Sequence, residues 1–307
     1  MASAPRPSSA LEEPTPGPFR VWMMAIRPPT LTAAVVPVAV GTAVALHHGV
    51  RAPLAALATL LAALALQAGA NLANDLSDYR RGADTAERIG PIRVTQCGLL
   101  TERQVTIGVV VSFAIATVLG LYLTYLGGWP IVAIGLASML AAVAYTGGPW
   151  PFGYRGLGEV FVFIFFGVVA VAGTFYVQTG TVTNDVLAAS VPVALTVTAI
   201  LVVNNVRDID TDRVAGKYTL AVYLGRSLAR TELVVMVVGA YVAAAALWLI
   251  GDFSIWVLLS WLSVPAAILP VAAVFRRTEG PPLNAALRAM ARLHLIFGLL
   301  LAIGLSS

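Results

Sequence analysis

The chain has 307 residues, of which 59% are hydrophobic and 11% charged, with a formal net charge of +4. A soluble domain carries about a quarter of its residues as charges, so a soluble globular enzyme is excluded, and the single Cys97 excludes an internal disulfide framework. The basic balance is almost entirely arginine, with Lys217 the only lysine, and its placement fits membrane topology rather than nucleic-acid binding.

Residues 1–19 are rich in Ala, Pro, Ser and Glu and lack an apolar stretch. They are expected to form a disordered cytoplasmic tail, not a signal peptide. Residues 20–307 are expected to form a single membrane domain. Nine apolar runs follow in order, at 29–47, 54–76, 105–126, 129–146, 157–178, 186–205, 231–250, 253–275 and 290–306. Runs of about 20 apolar residues cross the ~30 Å hydrocarbon layer as helices. None alternates polar and apolar residues over about 10 positions, as barrel strands do. The fold class is therefore all-α, a polytopic membrane protein with nine transmembrane helices.

The arginines give the expected orientation. Arg6, Arg20 and Arg27 precede the first run, and Arg80, Arg81, Arg88, Arg93 and Arg103 follow the second. Arg155 follows the fourth. Arg207, Arg213, Lys217, Arg226 and Arg230 follow the sixth, and Arg276, Arg277 and Arg288 precede the ninth. With nine crossings all of these lie on one side, and only Arg51 lies on the other. By the positive-inside rule that side is the cytoplasm, with the N-terminus in it. The location expected is the cell (inner) membrane.

The second and sixth runs both close on acidic motifs at that side. The first reads Asn71-Leu-Ala-Asn74-Asp75-Leu-Ser-Asp78-Tyr-Arg-Arg81-Gly82-Ala-Asp84, and the second Asn204-Asn205-Val-Arg207-Asp208-Ile-Asp210-Thr-Asp212-Arg213. On a helix, positions three and four apart share a face. Asp75 and Asp78 project together near Asn71 and Asn74, and Asp208 and Asp212 project together below Asn204. Carboxylate and amide oxygens are ligands for a hard cation, and Mg²⁺ usually joins a few carboxylates to substrate phosphates. Arg81, Arg88, Arg93, Arg207, Arg213 and Lys217 would repel a bare cation but suit a cation–diphosphate complex. Acids that merely solvate helix ends are the ordinary reading for one such motif, and the matched pair argues against it. His47, His48 and His294 show no metal-ligand spacing. A transporter is the rival class, although transporter sites usually lie near the membrane midplane.

At these motifs the chain resembles the UbiA superfamily of membrane prenyltransferases, and within it the 1,4-dihydroxy-2-naphthoate polyprenyltransferase branch. The resemblance runs from about residue 20 to 305. It is carried by Arg27-Pro-Pro-Thr30, by Asn74-Asp75-Leu-Ser-Asp78 with Gly82-Ala-Asp84, and by Arg88-Ile-Gly90-Pro91-Ile-Arg93. Tyr145-Thr-Gly-Gly148, Gly156-Leu-Gly158-Glu159, Asn204 to Asp212 and Gly216-Lys217 complete it. The resemblance implies nine helices around a central cavity and a diphosphate bound through Mg²⁺. It implies metal contacts at Asn74, Asp78, Asp208 and Asp212, with Asp75, Asp84 and Asn204 beside them, and catalytic roles for Asp78, Asp208 and Asp212. Arg81 and Lys217 fall where the family places basic diphosphate contacts. Many members carry a Lys shortly after the tyrosine matched by Tyr145. Here there is none, and Arg155 is shifted.

The implied reaction transfers a polyprenyl group from its diphosphate to the aromatic acceptor, with decarboxylation, and gives demethylmenaquinol in menaquinone biosynthesis. Aromatic faces stabilise cations, which makes Tyr145, Trp150, Phe152 and Tyr154 candidates beside the allylic carbon. Arg27 is a candidate for the acceptor carboxylate. Acceptors such as 4-hydroxybenzoate or homogentisate would use similar acidic motifs. The expected partners are polyprenyl diphosphate, the acceptor and the lipid bilayer, with no nucleic acid and no required protein.

Overall fold

A computed structural model describes residues 16–82, 90, 93–278 and 280–307. Most of the expected tail and the segment carrying Asp84 and Arg88 lie outside the described residues. Helix α1 (Pro18–Ile26) opens with proline at its first turn, where the missing N–H costs nothing. It begins inside the stretch expected to be tail and ends at Arg27. Arg27 has φ 57°, the one positive φ among the described non-glycine residues. A 3₁₀ turn at Pro28–Leu31 then leads into α2 (Thr32–His47).

Helix α3 spans Pro53–Arg80 and α4 spans Glu102–Gly127. The latter opens with a capping box, the Thr101 side chain accepting from Gln104 N and the Gln104 side chain from Thr101 N. Helix α5 is Trp129–Ala144. Helix α6 (Gly158–Val162) runs through a π-helical turn at Phe163–Val169 into α7 (Ala170–Thr179). Helix α8 is Asn184–Val214, capped by Thr183. Helix α9 (Leu220–Leu249) is kinked at Gly225, where φ is 74°. A 3₁₀ segment, Ile255–Ser263, continues as α10 (Val264–Arg276), and α11 spans Gly280–Leu305. Among the described residues there is no strand.

Among the described residues, eight helices are long and apolar enough to cross a membrane. The expected crossing at 129–146 is α5, which has 16 residues and rises only ~24 Å at ~1.5 Å per residue. Glycine 128, with φ 72°, and the Thr146-Gly-Gly turn cut it short. Helices α3 and α8 run on past the C-terminal ends of their apolar runs. Helix α3 continues to Arg80 and α8 to Val214, so the first acidic motif is helical as far as Arg80 and the second throughout. Several of their polar side chains hydrogen-bond to neighbours, and the helix need not end where hydrophobicity does.

The packed half of the bundle is built on α8. Its apolar window is 67% buried, against 11% for α4. Val203 of α8, Val36 of α2, Phe175 of α7, Leu233 of α9 and Phe297 of α11 belong to one buried cluster. Small residues let these backbones approach, as is usual between membrane helices. A Cβ on Gly167 would lie 2.1 Å from the Ala194 side chain, and one on Gly298 would lie 2.1 Å from Val36. Helix α5, by contrast, has no buried residue. It stands beside α3, α4 and α7 around a cavity rather than against a core.

Candidate active site

The cavity has a volume of about 430 Å³. Asn74 and Asp78 from the end of α3 line it together with Asn204 from the end of α8 and Lys217 from the turn after α8. Both acidic helices therefore deliver polar groups to the same end of one cavity. Arg27, Arg93, Tyr145 and Thr146 line the same mouth.

In the first motif, Asp78 is 3% exposed. Its Oδ2 accepts from Arg93 Nη2 at 2.7 Å and its Oδ1 from the Tyr154 hydroxyl at 2.9 Å. Asp75 is turned toward the segment after α3. Its Oδ2 accepts from Thr95 Oγ1 at 2.5 Å and Thr95 N at 3.3 Å, while Arg27 and Arg93 both lie 3.6 Å from Oδ1. Asp75 and Asp78 thus share a helix side, but Asp78 lines the cavity and Asp75 anchors two of its arginines. Asn74 Oδ1 accepts from Thr146 Oγ1 at 2.9 Å. Asn71 Nδ2 donates to Ile26 O at 2.7 Å and to Thr30 Oγ1 at 2.8 Å, fixing the turn around Arg27.

The second motif is organised by Arg207, which is almost fully buried. Its Nε donates to Asp208 Oδ1 at 2.7 Å and its Nη2 to Asp208 Oδ2 at 2.6 Å, a two-point grip on the neighbouring carboxylate. It also reaches Asn204 Oδ1 and Asn284 Oδ1, each at 2.9 Å. Asp212 has Lys217 Nζ at 3.6 Å. Asp210 turns outward to Arg226 at 2.8 Å. Asn205 Nδ2 donates to the buried Glu159 Oε1 at 2.7 Å, which ties the motif helix to α6.

Tyr154 stands between the motifs. Lys217 Nζ lies 5.6 Å and Arg81 Cζ 5.7 Å from its ring centre. Burial, then the charge of Asp78 and the hydrogen bond to it, push the phenol above its ordinary range, with Asp212 adding in the same direction. The hydroxyl therefore keeps its proton and remains a donor to Asp78. Arg81 itself is exposed and donates from Nε to Thr146 O at 3.0 Å and from Nη2 to Gly148 O.

The structure gathers Asn74, Asp78, Asn204, Arg27, Arg93, Tyr145 and Lys217 at the cavity, and places Asp75, Asp208, Asp212, Arg81, Arg207 and Tyr154 in contact with that group. Arg213 is exposed. Trp150 is 53% exposed, with Arg155 5.0 Å from its ring. Asp84 and Arg88 lie outside the described residues. Several contributors escaped the sequence reading. Thr95 and Asn284 are single polar residues with no pattern, and Thr146 stands in the Tyr145-Thr-Gly-Gly148 motif with nothing to single it out. Phe161 and Phe165 continue an aromatic stack from Tyr145 and Phe152, with Phe152 and Phe161 3.7 Å apart. They look like any other apolar residues in a span.

The donor set suits Mg²⁺. It consists of carboxylate and amide oxygens, and among the described residues no group of three or more His, Cys, Asp or Glu forms a ready-made cage. Such oxygens are ligands that Mg²⁺ takes alongside substrate phosphates.

Known proteins are similar over almost the whole chain. The model of the UbiA prenyltransferase family matches residues 34–296. The 1,4-dihydroxy-2-naphthoate octaprenyltransferase of Escherichia coli is 33% identical over 292 residues, covering 93% of this chain and 95% of the relative. That of Mycobacterium tuberculosis is 37% identical over 284 residues, covering 92% and 96%. Among solved structures, a UbiA homolog from Aeropyrum pernix K1 superposes with a TM-score of 0.68 at 18% identity, over 89% of this chain and 97% of that one. A UbiA homolog from Archaeoglobus fulgidus bound to GPP and Mg²⁺ gives 0.64 at 14% identity, over 92% and 99%. Likeness at such identities speaks for the fold, and the family match for descent. With its two acidic helix ends facing one cavity in a multi-span helical bundle, the chain belongs to the UbiA prenyltransferase family.

Proposed function

We propose that this chain transfers a polyprenyl group from polyprenyl diphosphate to 1,4-dihydroxy-2-naphthoate, with loss of the acceptor carboxyl group, to give demethylmenaquinol for menaquinone biosynthesis. The observation that carries it is the shared mouth. Asn74, Asp78, Asn204 and Lys217 meet at the polar end of a cavity whose remaining wall is mostly apolar. A diphosphate fits the polar end and a prenyl tail the apolar one. The relatives at 33% and 37% identity, named for this naphthoate acceptor, support its choice.

Asn74, Asp78, Asn204, Asp208 and Asp212 would hold Mg²⁺, with Asp75 supporting them from behind. Asp84 is the further candidate. Bound there, Mg²⁺ neutralises negative charge on the diphosphate oxygens and eases their departure. Lys217, Arg93 and Arg81 supply positive charge to the same leaving group, as preorganised donors do where charge develops. Arg88 is expected to join them. Arg207 acts through Asp208 and Asn204, holding their oxygens in place, and Arg213 adds only to the surrounding field. Tyr145 and the adjoining phenylalanine rings offer π faces to cationic character at the allylic C1. Arg27 lines the mouth beside them and is suited to the acceptor carboxylate. The acceptor ring attacks C1, and the carboxyl group leaves as CO₂.

The arginine bias supports α5 as a ninth crossing, with the acidic ends at the cytoplasmic face of the cell membrane. The test is purified protein with one prenyl diphosphate and a panel of aromatic acceptors, read by product mass. The expected product is the decarboxylated prenyl naphthoquinol. Prenylation of 4-hydroxybenzoate or homogentisate in its place overturns the acceptor. Chelation is expected to stop turnover and added Mg²⁺ to restore it.

A further inference from the structure

Gln67 of α3 lines the cavity and is only 8% exposed. Its neighbours on that wall, Ala63, Leu66 and Ala70, are apolar. It precedes Asn74 by ~10 Å along the helix axis, at ~1.5 Å per residue, and so stands apart from the charged groups of the motif. Its Oε1 is buried and, among the described residues, no donor reaches it. A buried carbonyl oxygen without a partner is uncommon and costly.

The neighbouring hydrogen bonds fix which way this amide faces. The carbonyl of Ile26 can only accept, so the Asn71 atom that meets it at 2.7 Å is Nδ2. The same nitrogen donates to Thr30 Oγ1 at 2.8 Å, and the Thr30 hydroxyl gives its own proton to Arg27 O at 2.9 Å. Asn71 therefore turns Oδ1 toward Gln67, whose Nε2 stands 3.5 Å from it. With the Gln67 nitrogen directed at Asn71, the oxygen is the end left over. Each orientation follows from the one before, beginning at a backbone carbonyl that cannot be reversed. The outcome is an acceptor with nothing to accept, on a residue that lines the same cavity as Arg27 and Thr30. A hydrocarbon ligand leaves it unsatisfied, and a diphosphate brings only further acceptors. A hydroxyl group satisfies it.

We propose that Gln67 is a specificity-determining residue for the aromatic acceptor, its Oε1 accepting the hydrogen bond of the C4 hydroxyl of 1,4-dihydroxy-2-naphthoate. This rests on that naphthoate being the acceptor. The choice of hydroxyl comes from the chemistry of the molecule. The C1 hydroxyl lies next to the carboxylate and donates to it internally, whereas the C4 hydroxyl, across the ring, has no such partner. With the carboxylate at Arg27, the C4 hydroxyl is the group that still needs an acceptor from the wall. The carbon that is prenylated is the one that loses the carboxyl group, so the C4 hydroxyl is not a reacting group. Gln67 therefore governs which acceptor binds.

The test compares 1,4-dihydroxy-2-naphthoate with 1-hydroxy-2-naphthoate, which lacks only that hydroxyl. Binding of each to the full chain and to Gln67→Met is titrated anaerobically by thermal shift, with Mg²⁺ and non-reactive geranylgeranyl thiolodiphosphate present, so that no turnover occurs. One hydrogen bond between neutral groups is worth up to about tenfold in affinity. The unaltered chain is expected to bind the dihydroxy acid about tenfold more tightly than the monohydroxy acid, and Gln67→Met to bind the two alike. Methionine keeps the length of the side chain, so affinity for the monohydroxy acid and for the thiolodiphosphate should stay as it was. Equal affinity of the unaltered chain for the two acids overturns the role of Gln67, whether or not the variant folds. An unchanged ratio in a folded Gln67→Met does the same. If the unaltered chain binds the thiolodiphosphate but neither acid, the naphthoate acceptor itself falls and takes this inference with it.

Discussion

Asp78 of the first acidic motif takes its contacts from distant parts of the chain, whereas Asp208 of the second takes them from its own helix. Asp78 takes Arg93 from the segment before α4 and Tyr154 from the turn before α6. Asp208 takes both of its guanidinium contacts from the adjacent Arg207, which Asn284 of α11 steadies. The surroundings differ in the same sense. Helix α8 runs through the most buried part of the bundle, while α4 and α5, beside the first motif, bury little. The second motif is therefore a preformed wall. The first is assembled from segments far apart in the chain, and capture of a diphosphate is expected to rearrange it.

The largest effect should be common to both motifs. Asp78→Ala and Asp208→Ala each remove a carboxylate from the charge-handling end of the cavity, and transfer should fall by about 10³-fold, the upper range for one preorganised electrostatic group. Membrane insertion should be unchanged, and full activity in either variant sinks the metal assignment. The next test separates the motifs. Arg207→Ala strands the carboxylate of Asp208 in a buried site, a change that costs about 3–5 kcal/mol when a buried pair is broken. Thermal unfolding in detergent should show that loss, and Arg93→Ala should show less, because Asp78 keeps Tyr154 and Asp75 keeps Thr95.

A smaller effect is expected at Tyr154→Phe, which keeps the ring between Arg81 and Lys217 but removes the donor to Asp78. A hydrogen bond to a charged group is worth about 1.5–3 kcal/mol, so kcat/KM should fall by roughly ten- to a hundredfold with little change in unfolding temperature. An unchanged rate would mean that Arg93 alone positions Asp78. The smallest effect is expected at Arg213→Ala. The residue is exposed, and surface substitutions of that kind usually stay within about 0.5 kcal/mol. A large loss of activity there would return Arg213 to the diphosphate site.

Much of this was legible in the residues. The spacing of Asn74 and Asp78, and of Asn204, Asp208 and Asp212, is a helix-face pattern, and it survives as such because both helices run past their apolar stretches. The same pattern does not tell what each carboxylate meets. Helix spacing groups residues on one side of a cylinder, but which neighbour each meets depends on what packs there. Thr95 and Arg27 claim Asp75, and Arg226 claims Asp210. The expected crossing at 129–146 is a helix of 16 residues, because hydropathy does not register where the backbone turns at Gly128 and after Ala144. Glu159 and Asn205 stand far apart in sequence, and nothing in either segment announces that they pair.

Two kinds of information thus meet in this protein. Composition, the run of apolar segments, the placement of the arginines and the two acidic motifs are local properties, and the sequence by itself determined them: a helical membrane protein with paired acidic motifs at the ends of two apolar runs. Only the tertiary structure decided which carboxylates face the cavity and which arginine holds each one. Those outcomes arise where side chains from different parts of the chain come within a few ångströms of one another, and Asp78, Arg93 and Tyr154 meet only because the segments before α4 and α6 pack against the end of α3.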